Sequence, residues 1–102
     1  MRGWLLVGAL LGTALSHPAC TYFNTLYNAE RLFAEAERAA SQGDRTRARS
    51  IYQVAIEKAA KGLRKDPDGR WADDALYLIA RAHYGRDDFP AARAALERLL
   101  AT

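Results

Sequence analysis

Few side chains in this sequence are equipped for covalent chemistry. The 102 residues hold one cysteine, Cys20, and two histidines, His17 and His83. A lone cysteine excludes an internal disulfide framework. With no second cysteine and no histidine-rich cluster, a metal site lacks ligands. The adjacent acids Asp73-Asp74 and Asp87-Asp88 precede apolar-periodic stretches, so they read as helix-start charges rather than paired general acids. No glycine-rich phosphate loop is present. His83 falls among apolar positions, where packing is the expected role. These absences point to a non-enzyme with no cofactor and no catalytic residue, and leave the Cys20 thiol as the nucleophile of interest.

The context of Cys20 gives that thiol a use. Met1-Arg2-Gly3 is short and positive, and the uncharged run WLLVGALLGTAL follows from Trp4 to Leu15. Ser16-His17-Pro18-Ala19-Cys20 then breaks the run, which is the order of an export signal. About twenty apolar residues are needed to span a bilayer, so a dozen fit a signal better than an anchor. Ending at the only cysteine with Ala19 before it, the segment resembles a bacterial lipoprotein signal, in which the thiol takes a diacylglycerol. The expected division is a signal peptide over 1–19 and a lipidated tether over 20–25. His17 and Pro18 depart from the usual box, and Ala14-Leu15-Ser16 offers a rival site for ordinary signal peptidase. Cleavage there would release a soluble periplasmic protein instead.

Beyond the cysteine the pattern is helical. Leu26, Ala29, Leu32, Phe33, Ala36, Ala39 and Ala40 recur at three and four, and Gly43 ends the run. Asn24 or Thr25 is the expected N-cap. Asp44 can cap a second helix with the stripe Ala48, Ile51, Tyr52, Ala55, Ala59 and Leu63, which Pro67-Asp68-Gly69 stops. Trp71 to Leu100 then repeats the arrangement. Leu76, Ile79, Ala80 and His83 precede the turn Asp87-Asp88-Phe89, and Ala92, Leu96 and Leu99 take inward positions after it. Aligned on the turns, Ala36 matches Ala80, Ala48 matches Ala92 and Tyr52 matches Leu96, each pair 44 residues apart.

Both halves resemble tetratricopeptide repeats, the second more closely because Arg45 stands where an aromatic is usual. The implied fold is all-α, with antiparallel helix-turn-helix hairpins over 26–66 and 70–102. Two hairpins are few for such a solenoid, so the expectation is the N-terminal part of a longer array. The phrase CTYFNTLYNAERLF is similar to the start of envelope lipoproteins with these repeats, including the outer-membrane lipoprotein that assists β-barrel assembly.

That resemblance implies a concave face lined by Glu30, Phe33, Glu37 and Ala40 in the first hairpin. In the second it implies Asp74, Tyr77, Arg81 and Tyr84. Two tyrosines flanking an arginine match the composition of protein interfaces. Tyr77, Arg81, Tyr84, Phe33 and Glu37 are therefore the candidate partner-binding residues, with envelope proteins or peptides as the partners and lipidated Cys20 as the membrane link. A helical arm of a larger exported enzyme is the alternative in another class. Fifteen basic residues against twelve acidic ones leave a formal charge of +3, interspersed along amphipathic faces. Nucleic-acid binding would need those cations gathered on one face, and no small-molecule substrate is implied. The densest cluster, Arg45-Thr46-Arg47-Ala48-Arg49, sits at a helix start, where the dipole disfavours cations, and is expected to be a solvent face.

Overall fold

The structure, a computed structural model, describes residues 18–101, with side chains from Asn24 onward. Residues 1–17, most of the expected signal peptide, and the side chain of Cys20 lie outside the described part. Four helices follow in order: α1 (Pro18–Ser41), α2 (Arg45–Lys65), α3 (Ala72–Gly85) and α4 (Phe89–Leu100). Among the described residues there is no strand. α1 packs on α2, α2 on α3 and α3 on α4, with a smaller contact between α1 and α3. The fold is an all-α, tetratricopeptide-like pair of helical hairpins.

The expected tether over 20–25 is helical instead, because α1 begins at Pro18 rather than at a cap on Asn24 or Thr25. A proline suits the first helical position, since its fixed φ is helical and its missing N–H is one that would go unpaired there.

The 44-residue register is written into the turns. Gly43 adopts φ 83° and Asp87 φ 63°, so both turns pass through the left-handed region at the same place. Asp44 N donates to Ala39 O at 3.0 Å, and Asp88 N donates to His83 O at 2.9 Å. The carboxylate of Asp44 caps α2 by accepting from Arg47 N, and that of Asp88 caps α4 by accepting from Ala91 N. Glycine takes the left-handed conformation without cost; aspartate tolerates it better than most residues.

Alanines dominate the core. Ala29, Ala36, Ala55, Ala75 and Ala82 are all but fully buried, and Leu78 is the largest fully buried side chain. Small side chains let helix axes approach, and at Gly85 the backbone of α3 lies against the Tyr52 ring of α2. A Cβ added there would lie 2.5 Å from the Tyr52 ring. Tyr52, from α2, is buried at 2 % exposure and packs its ring 5.6 Å from that of Phe33 in α1. One phenol ring thus holds α1, α2 and α3 in register.

α4 differs from the expected inward pattern. Ala92 is buried, but Leu96 is 41 % exposed and Leu99 only partly buried. Among the described elements α4 packs on α3 alone, so nothing covers its other side.

Gly85→Ala should force the Tyr52 ring aside and lower stability by about 1–3 kcal/mol, the usual range for overpacking. Urea midpoints measure it. Adding Tyr52→Leu should return part of the loss, because the two changes act on one contact.

Candidate functional site

α3 carries three outward residues on one stripe, Tyr77, Arg81 and Tyr84, at spacings of four and three. They face a groove of about 240 Å³ whose other walls come from α1 and α4. The groove is lined by Phe33, Glu37, Tyr77, Ala80, Arg81, Tyr84, Ala92 and Leu96. All five candidate residues therefore meet in one depression. Glu30, Ala40 and Asp74, also placed on the concave face by the resemblance, do not line it.

The five are not equivalent. Tyr77 is 52 % and Tyr84 66 % exposed, while Phe33 is 5 % exposed. The expectation of an outward Phe33 is corrected by its neighbours: Tyr52 flanks the ring, and the Arg81 guanidinium sits 4.2 Å from its centroid. Arg81 also lies 5.1 Å from the Tyr77 ring. One cation thus joins a buried aromatic of the first hairpin to an exposed one of the second, an interaction worth on the order of 0.5–2 kcal/mol depending on desolvation. Phe33 is the groove's floor, Arg81 its hinge between hairpins, and the two tyrosines its exposed wall. Tyr84 packs edge-on against Phe89 across the turn at 5.3 Å.

Burial pushes the Tyr52 phenol above its ordinary value, and the carboxylate of Glu37 raises it further. Ala80 and Ala92 are both buried, and their small side chains let α3 and α4 close the groove's base. Aromatic faces, a guanidinium and an apolar floor suit docking of a peptide or protein surface. They contain no nucleophile–base pair.

The basic cluster is solvent-exposed, as expected, and its cations are paired. Arg45 and Arg49 both bind the carboxylate of Asp87, at 2.9 and 2.8 Å, and Arg47 reaches Glu35 at 3.3 Å. Asp87 is held below the usual aspartate value, first by the hydrogen bond from Arg49 and then by Arg45. These pairs tie the start of α2 to the turn of the second hairpin. Sequence reasoning missed them because the partners stand 42 and 38 residues apart, where no local pattern connects them.

On the other side of α3, a second hollow of about 480 Å³ lies between α2 and α4. His83 lines it, as do Leu63, Ile79, Arg64 and Arg98. The Nδ1 of His83 is buried without a hydrogen bond and stands 3.9 Å from an Asp88 oxygen. Burial lowers its pKa below 6.5, outweighing the opposing pull of Asp88. A neutral, packed imidazole results.

Two hairpins with matching turns, an alanine-rich core and a groove lined by α1, α3 and α4 form a helical repeat. Residues 74–102 match the tetratricopeptide repeat family. The match spans nearly all of α3 and all of α4, and the first hairpin repeats the same turn geometry 44 residues earlier. Comparison with curated proteins and with solved structures gave no match. Among the described residues, no group of histidine, cysteine and acidic side chains could hold a metal ion, and no helix is long and apolar enough to cross a membrane.

Because the folded state holds His83 less basic than the unfolded chain, protonation favours unfolding. Its contribution is complete above pH 6.5 and is lost as pH falls below that value toward the folded pKa. Melting curves from pH 7.5 to 5 should therefore show a decline in Tm that His83→Leu flattens.

Proposed function

We propose that this chain is a non-enzymatic protein-binding scaffold of a bacterial cell envelope. It is held to the membrane by a lipid on Cys20 and binds envelope proteins or peptides in the groove between its hairpins. The observation that carries the scaffold reading is the convergence of Phe33, Glu37, Tyr77, Arg81 and Tyr84 on one depression between α1, α3 and α4, the last two of which carry the tetratricopeptide match. Repeats of this kind generally mediate protein–protein contact. Exposed tyrosines around an arginine give a partner large, rigid contact area with little entropy to lose.

The anchoring part rests on the sequence before Cys20, an apolar run closed by a small residue and the only thiol. The mature lipoprotein would carry two or three acyl chains on that residue, which suffices for stable attachment where one chain does not. The phrase following Cys20 favours the outer membrane, facing the periplasm, with outer-membrane protein assembly as the process it serves.

Radioactive palmitate fed to producing cells should label the chain, and Cys20→Ser should abolish the label. No label, or label that survives the substitution, removes the anchor. N-terminal sequencing that finds a free residue 17 would instead establish release after Ser16.

The scaffold part is tested by a photoreactive amino acid placed at Tyr77 or Tyr84 in cells. Discrete adducts should form there and not from Lys58, on the exposed side of α2. Adducts equally abundant at all three positions, or none, count against the groove.

A further inference from the structure

The hollow on the other side of α3 from the groove has no part in the scaffold reading. α2 and α4 both pack on α3 and, among the described elements, do not touch each other. α3 therefore forms a floor, through buried Leu76 and Ile79, between two separate walls. The α2 wall carries Ala60 between Ile56 and Leu63, and the α4 wall carries Ala94 and Ala95. Small side chains at these places keep about 480 Å³ open. That volume, with an apolar lining and a few polar groups, matches sites for small molecules.

The polar groups divide between the two ends. Short connections join helices packed side by side, so consecutive helices run antiparallel. The last turns of α2 and α4 thus both lie beside the start of α3. Arg64 and Arg98 stand in those last turns, whereas His83 stands in the last turn of α3. The hollow has a cationic end, an apolar middle and, at the far end, an imidazole that burial keeps neutral.

Helix dipoles favour a cation in a last turn whatever it faces. They do not explain why these two are left unanswered. Arg45, Arg47, Arg49 and Arg93 each reach a carboxylate, while Arg64 and Arg98 reach none among the described residues. Two free guanidinium groups at one end of an apolar trough complement a single anion joined to an apolar body.

We propose that this hollow binds a long-chain carboxylate, a fatty acid taken up as a monomer. Its acyl chain lies along Ile56, Leu63, Leu76 and Ile79. Its carboxylate is held by Arg64 and Arg98 through charge-assisted hydrogen bonds. Removal of methylene groups from water supplies the affinity, and the arginines supply the orientation. A bilayer surface suits the place less well, because a flat array of headgroups would meet the arginines and leave the trough unfilled.

The test titrates the full chain calorimetrically with dodecanoate, below its micelle-forming concentration and at a pH where the carboxylate is ionised. One saturable site is expected, weakened roughly tenfold by Arg64→Gln and likewise by Arg98→Gln. Ala94→Trp, at an exposed position on the hollow's wall, should block the site without lowering Tm. Dodecanol, which has the same tail and no charge, should bind much more weakly. Equal binding of dodecanol would mean unspecific adsorption and overturn the proposal. So would binding indifferent to both glutamine variants and to Ala94→Trp. Arginine-dependent binding to phosphatidylglycerol vesicles without binding of dodecanoate would assign the cations to a membrane surface and overturn it too. Tyr77→Ala should leave dodecanoate binding unchanged, since the groove lies across α3. Photoadducts at Tyr77 with no dodecanoate binding would leave the scaffold reading standing and remove this one.

Discussion

The ring of Tyr52 is the constraint on which the described structure turns. It comes from α2, packs on Phe33 from α1 and leaves room for α3 only because position 85 has no side chain. Other contacts between the hairpins lie around that placement. Arg81, one turn before Gly85, sits over the Phe33 ring. The Asp87 turn lies within reach of Arg45 and Arg49 at the start of α2. A core this rich in alanine buries little area per residue, so one correctly seated aromatic counts for much of its specificity.

The ion pairs around Asp87 play another part. All three side chains are exposed, and pairs of that kind contribute little to stability in water. Their value is positional. The N-terminus of α2 repels cations, yet two arginines of its first turns are neutralised by a carboxylate from the following hairpin. That carboxylate sits on a residue in the left-handed conformation, in the place glycine occupies in the first turn. Asp87 therefore gives up some backbone comfort for a charge that bridges hairpins.

Much of this was legible beforehand, and the exceptions share a cause. The stripes from Leu26 to Leu63, the stop at Gly43 and the 44-residue register are local or periodic signals, and the helices and turns carry them. The groove could be named from the resemblance because its residues occupy fixed places in a repeat, and the structure does bring those five together. What escaped depends on a neighbouring element. Phe33 lies on the apolar stripe of its own helix, the resemblance alone set it on an open concave face, and it is buried by residues 19 and 48 positions away. Arg45 and Arg49 are solvent-exposed as expected, but their shared partner Asp87 comes from another hairpin. Leu96 looked buried by analogy with Tyr52, and is open because among the described elements α4 packs on α3 alone. The early start of α1 was hidden by turn-prone Thr21, Asn24 and Thr25, which a longer amphipathic helix absorbs.

The nearest-neighbour order of the helices has a thermodynamic consequence. In such an array the stability of each element is roughly its own plus that of its contacts, so an element held on one side opens most readily. α4 is that element. Yet α4 also supplies Ala92 and Leu96, two of the groove's walls, so the groove exists only while α4 stays docked. Whatever occupies the groove draws the frayed population back into the folded one, by mass action and without any change of shape. Occupancy and local folding are then one equilibrium, and part of the apparent affinity for a partner is set by how firmly α4 clings to α3 before the partner arrives.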